Sequence, residues 1–472
     1  MTPSGVLLDQ MRAGKTRQLE QRLAWVGLQL ASAADWRTQA EAGGPLALHQ
    51  SQIEALQMFL DTVLSTLSQQ VAQARSAASF GDFLTAAKTA QEVMGRTYRA
   101  WQAYHERFNQ IKAADPVTSR FLRVGDEVAW SGYRVFTSQL LKMGVESARV
   151  KFKQPPLFNL YPDLSPITYT RKARLALPNL PVHLIDFPLG EMSAPWSLLT
   201  VHHELAHGLS ADLNLRPANL IQAGAGLSLD RLAQWSGWAV EIFCDCLAVL
   251  LGGPAFVREL MDVLLGMSPG DPNDPARSPH PPPYLRILLL CAFLEELESK
   301  RPQAGFATDA QLSAHYGNLA AQYAGGWRSA YAGVDPAPFA PYLDEAGLVL
   351  GLLVDTPLPE LNGGTARQLG WFTPAEHKLV TRVAENHLAF GEESGEPIAP
   401  RLAVAAARVA FDALAAGQGG ASVTELEESA LRTVEKNRAT EGTRGLHLGE
   451  ERYLAHLAVE FTTGLAGEED QT

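Results

Sequence analysis

At 472 residues the chain is long enough for two or three domains, each burying its own core. Hydrophobic residues make up 46% and charged residues only 19%, a balance that excludes a disordered chain. The formal net charge is −12 and no long Lys/Arg block occurs, which argues against a phosphate-neutralising nucleic-acid surface.

The first residues lack a basic stretch followed by an apolar run, so no signal peptide is expected. Segments 5–34, 48–77, 80–113 and 118–150 carry apolar residues three and four apart, the period of amphipathic helices, with Gly43, Gly44 and Pro45 punctuating them. Residues 21–30 and 53–71 look like antiparallel helix partners. Residues 1–150 are therefore read as a helical N-terminal region, a scaffold or cap on a catalytic core.

The character changes at Lys153-Gln154-Pro155-Pro156. Runs 166–171 and 180–187 are rich in branched and aromatic residues and read as strands. An apolar helix over 194–209 follows, with Ser193 as its N-cap. A second helix is expected from about residue 227 to 251, ending at Gly252-Gly253-Pro254. Residues 267–283, full of Pro, Asp and Ser, form a loop, and a third helix runs over about 284–299. These segments define a core over 151–300 and leave 301–472 as a helical C-terminal region with a Pro/Gly-rich link at 356–373. The fold class expected is mainly α, of α+β type, with a small mixed sheet. The longest apolar stretches, 287–294 and 346–354, fall short of the roughly 18 residues of a spanning helix. With three cysteines (Cys244, Cys246 and Cys291) in apolar segments and no disulfide framework, a cytoplasmic protein without a membrane span is expected.

The chemistry concentrates in the helix over 194–209. His203 and His207 are four residues apart, so they project from one helical face and can reach one cation. Glu204 beside them can hold a metal-bound water and take its proton as it attacks a carbonyl. His202 lacks a partner at that spacing. A zinc site needs a third protein ligand, and Glu241, in an otherwise apolar helix, is the best candidate because a buried carboxylate is costly unless paired or metal-bound. Asp245, one turn on, can accept the free ring N–H of a ligand histidine and fix its tautomer. Cys244 and Cys246 compete as ligands in principle, although buried free cysteines are commonly small core residues. In the proline loop, His280 and Tyr284 can donate to the oxyanion of a tetrahedral intermediate, while Arg286 suits an ion pair with a core carboxylate.

Together these elements resemble the glutamate-ligand zincins, which combine His-Glu-x-x-His with a later Glu-x-x-x-Asp, as His203 to His207 and Glu241 to Asp245 do. Within that clan, residues 170–295 are most similar to the CAAX-prenyl protease and HtpX heat-shock protease family. There the same order ends in Ser-x-His-Pro-Pro-x-x-x-Arg-Ile, matched by Ser278, His280, Pro281, Pro282, Arg286 and Ile287. Leu175-Ala176-Leu177-Pro178 resembles that family's edge strand beside the substrate cleft. The resemblance implies a zincin-like core with one zinc ion held by His203, His207 and Glu241. It further implies Glu204 as general base, Asp245 orienting a ligand histidine and the His280 loop bordering the cleft. Two departures stand out: Cys244 occupies the place of an alanine, and Arg174 replaces the asparagine often found before the edge-strand motif. Many members of that family are embedded in membranes.

The expected function is a zinc metalloendopeptidase acting on peptide or protein substrates. The alternatives are a non-catalytic protein that keeps this fold for binding or regulation, and a zinc hydrolase of a non-peptide amide or ester.

Overall fold

The computed structural model describes residues 3–113, 115–145, 154–161, 167–168, 180–273, 278–300, 309–370 and 372–438. The edge-strand motif at 175–178 and most of the run at 166–171 lie outside these residues, as does the acidic C-terminal stretch at 467–470. The described chain is mainly helical, with one small mixed sheet.

Four long helices come first: α1 (Pro3–Glu41), α2 (Gln50–Ser76), α3 (Phe80–Ala113) and α4 (Pro116–Lys142). The last starts where the spacing predicts, because the Asp115 side chain caps the amides of Val117 and Thr118 and Pro116 needs no donor there. By packing, this region divides. α1–α3 build a core of their own around Trp36, Phe59, Phe83 and Phe108, whereas Phe121, Val128 and Phe136 of α4 belong to the larger core that surrounds the histidine helix.

The sheet lies between the two cores. Strands β1 (Gln154–Tyr161), β2 (Ile167–Thr168) and β3 (Val182–Pro188) are ordered β1-β3-β2, with β1 parallel and β2 antiparallel to the central β3. The sequence reading missed β1, since Pro155 and Pro156 argue against a strand. They are tolerated because β1 is an edge strand and its register shifts between Gln154 and Leu157. Leu157, Val182 and Leu184 face the helical cap, while Phe158, Ile185 and Phe187 face the larger core. Polar ties fasten the layers: the Tyr104 hydroxyl donates to the Val182 carbonyl, and Arg107 donates to both the Phe158 carbonyl and Asp126. Asp126 in turn accepts the Phe158 amide at 2.9 Å.

After β3 the chain takes two 3-10 turns, Leu189–Ser193 and Pro195–Thr200, before α5 (Val201–Asp212). The expected helix start at Ser193 is therefore corrected: Ser193 closes the first turn, Pro195 opens the second, and the α-helix begins at Val201. α6 (Pro217–Ala223) leads to α7 (Leu229–Gly252), which ends where Gly253 takes φ +64, a conformation that favours glycine. α8 (Pro254–Leu264) and α9 (Pro283–Glu296) complete the middle of the chain. Then follow α10 (Ala310–Ala330), α11 (Ala340–Val354), α12 (Pro374–Asn386), α13 (Pro400–Ala415) and α14 (Val423–Lys436).

Among the described residues one helix, α7, meets the length and apolarity of a membrane span, with mean hydropathy 1.4 in its window; 83% of that window is buried inside the protein. No uninterrupted apolar run announced it, because Glu241 and Asp245 break the stretch.

Candidate metal centre

α5 and α7 pack against each other at the centre of the larger core, and α4 closes on α5 from the other side. That approach needs Gly132: a Cβ there would fall 2.6 Å from Leu205 Cδ1. The helical period then decides which histidines meet α7. His203 and His207 share the face toward Glu241, while His202 turns into the core beside Gly252 and α4. Burial, with Arg401 nearby, lowers the pKa of His202 to about 3, so it remains a neutral core imidazole.

The ligand cluster is tight. His203 Nε2 lies 3.0 Å from His207 Nε2 and 3.2 Å from Glu241 Oε2, and His207 Nε2 lies 3.6 Å from Glu241 Oε1. Zinc with N and O ligands at about 2.0–2.1 Å has tetrahedral edges of roughly 3.3 Å. The nitrogen–nitrogen and nitrogen–oxygen separations are of that order, the two imidazoles reaching different oxygens of Glu241, and His203, His207 and Glu241 form the one such buried group among the described residues. They fit the ion that the sequence implies.

The outer ring nitrogens have different neighbours. His203 Nδ1 lies 2.7 Å from Asp245 Oδ1, and Arg286 donates to both Asp245 oxygens, Nε to Oδ2 and Nη2 to Oδ1, each at 2.7 Å. His207 Nδ1 instead lies 3.2 Å from Cys244 Sγ. Electrostatics separate the two rings further. Burial pulls His203 down, but Asp245 and Glu241 outweigh it and raise its pKa to about 9, whereas burial leaves His207 lowered. Burial also works against the Glu241 and Asp245 carboxylates; hydrogen bonds from His203, His207 and His280 hold Glu241 far below the usual range, and Arg286 with His203 lowers Asp245.

Glu204 lies buried on the wall of a cleft of about 620 Å³ that opens beside the cluster, together with Thr200, His203, His280 and Arg286. The proline loop brings His280 in: its half-exposed imidazole places Nε2 3.1 Å from Glu241 Oε2. Tyr284 is not brought to the cleft. Its ring packs against Phe339, centroids 4.7 Å apart, and Tyr331, 6.0 Å apart. Cys246 and Cys291 are buried free thiols.

Three features went unread in the sequence. One is Cys244 as the neighbour of His207, although its position three residues after Glu241 puts it on the same face. Another is His183 on β3, whose Nε2 lies 2.9 Å from Asp212 Oδ1 and ties the sheet to the end of α5. The third is α8, whose apolar spacing was available but had no chemistry attached. Comparison with protein-family models, with curated proteins and with solved structures found no match.

Proposed function

We propose that this chain is a metal-dependent hydrolase with a zincin-like core, and more narrowly a zinc endopeptidase. The observation that carries the reading is the close group of His203, His207 and Glu241, with the two Nε2 atoms 3.0 Å apart and lying 3.2 and 3.6 Å from the two different carboxylate oxygens of Glu241, next to Glu204 on an open cleft. Bound there, zinc would supply Lewis acidity that polarises a carbonyl and eases deprotonation of a water.

The chain's own residues divide the remaining work. Glu204 takes the proton of the attacking water and returns it to the leaving amine. His280, whose side chain is 48% exposed at the cleft, donates a ring N–H to the developing oxyanion. Asp245 fixes the tautomer of His203 by accepting its Nδ1–H, and Arg286 keeps Asp245 charged and in place.

The test compares wild type with Glu204→Gln for zinc content and for cleavage of a peptide library. The expected outcome is close to one equivalent of zinc in both proteins and cleavage by wild type alone, with Glu204→Gln reduced at least ~100-fold. Normal zinc with no cleavage by wild type would move the chain to the binding-protein reading, and less than about half an equivalent of zinc would remove the metal assignment itself.

A further inference from the structure

The cleft beside the ligand cluster is unequal in its two walls. One wall is polar and carries Thr200, His203, Glu204 and Arg286. The other is made by α8, which presents Phe256, Leu260, Val263 and Leu264, with Trp238 and Met267 extending it. The α8 residues are spaced by four, seven and eight positions, so they form one stripe of the helix. Phe256, Leu260 and Leu264 of the stripe are buried, whereas Val263 is 39% exposed and Met267, beyond the end of α8, is 52% exposed. Large hydrophobics left at the mouth of a concave site mark a surface that awaits an apolar partner.

We infer that this lobe receives a bulky apolar side chain of an extended peptide, beside the bond that is cut, with the α8 stripe as the specificity-determining wall. The inference rests on the peptidase reading. Three observations choose the occupant. The lobe is continuous with His203 and Glu204, so whatever fills it lies against those two residues. The whole cleft, about 620 Å³, falls in the range of roughly 300–1,000 Å³ typical of sites that hold a drug-sized ligand, so its apolar side has room for a large side chain. The charges also exclude an acidic side chain. Arg286 is committed to Asp245, and Asp271 stands exposed at the rim, so a substrate carboxylate buried against Phe256 and Leu260 would lose its hydration without compensation.

The experiment uses the full chain as Glu204→Gln, loaded with zinc, and fluorescent hexapeptides that differ at one central position: Phe, Gly or Asp. Anisotropy reads binding without turnover. The Phe peptide should bind about 10-fold more tightly than the Gly peptide, and the Asp peptide more weakly than both. Adding Val263→Glu, at a half-exposed position that tolerates a charge, should bring Phe and Gly within about 2-fold while zinc content stays unchanged. Leu260→Trp, which fills the lobe without adding charge, should have the same effect on the preference.

Equal binding of the three peptides, or a Phe preference that survives both substitutions, overturns the inference. Saturable binding of decanoic acid with no binding of any peptide would assign the lobe to an acyl chain and overturn it as well. The peptidase reading fails separately. A Phe preference lost in Val263→Glu, with no peptide cleaved by wild type, keeps the subsite and removes the reaction. Cleavage indifferent to the Phe, Gly and Asp series does the reverse.

Discussion

The two ligand histidines differ in what holds their outer nitrogens, and that difference is chemical. A carboxylate beside His203 Nδ1 at 2.7 Å is a strong acceptor, itself clamped by Arg286, and it makes the imidazole more basic. A thiol 3.2 Å from His207 Nδ1 is a weak one. With zinc on Nε2, the His207 proton would sit on Nδ1 and the sulfur would accept it, a weaker hold on the ring than the carboxylate gives His203. Removing that acceptor should therefore be felt in metal affinity but gently. Cys244→Ala is expected to lower zinc affinity by about 10-fold, the small end of the range for such outer partners, with Cys244→Ser recovering part of the loss. Competition against a chromophoric chelator measures it. Equal affinity in Cys244→Ala and wild type would reduce the thiol to a core filler.

Whole elements were more legible than their ends. The helical period located α2, α3, α7 and α9 within a few residues, because their apolar faces are what they bury, whereas α4 ends at Lys142, short of the expected 150. The start of α5 was misplaced because 3-10 turns at 189–200 share the apolar content of the helix they enter. β1 was hidden by two prolines that an edge position excuses. The grouping of His203 with His207 was readable since four-residue spacing is itself geometry, but which surface lines the rest of the cleft depends on how α8 folds back, and no local pattern encodes that. A long-range contact of the same sort joins α10 to α12, where the His315 and His377 rings meet at 5.0 Å between centroids. Burial, then the neighbouring His315 and Lys378, lowers the His377 pKa to about 4 from an ordinary 6.5. As pH falls below 6.5 the unfolded chain takes up the proton first, so stability present above that pH drains away toward 4. His377→Gln cannot titrate. Its melting temperature should drop less than that of wild type between about pH 7.5 and about pH 5, read by differential scanning fluorimetry. An unchanged pH dependence would mean that His377 protonates in the fold without penalty.

At the scale of the molecule, the C-terminal helices are fastened to the helix that lines the cleft. α8 has two faces: the apolar stripe at 256, 260, 263 and 264 toward the cleft, and Glu259 with Asp262 toward α13. Buried Arg408 of α13 reaches that second face, donating to Glu259 at 2.8 Å, Asp262 at 2.6 Å and its own neighbour Asp412 at 2.7 Å. Burial raises the Glu259 pKa to about 6 even with this guanidinium beside it. Arg408→Met would leave Glu259 without its counter-charge in the interior, at a cost of about 3–5 kcal/mol. Urea unfolding followed by tryptophan fluorescence should show the unfolding free energy fall by that amount, with a lower midpoint. Replacing both partners with apolar residues, Arg408→Met with Glu259→Leu, should recover most of it, because neither charge is then stranded. The same variants test whether the C-terminal region acts on the site. If α13 sets the pose of α8, Arg408→Met should blunt the preference of the cleft for a Phe peptide while zinc content holds, and the double substitution should restore both stability and preference. Full stability loss with an untouched preference would show that α8 keeps its pose through its packing on α7 and α9 alone.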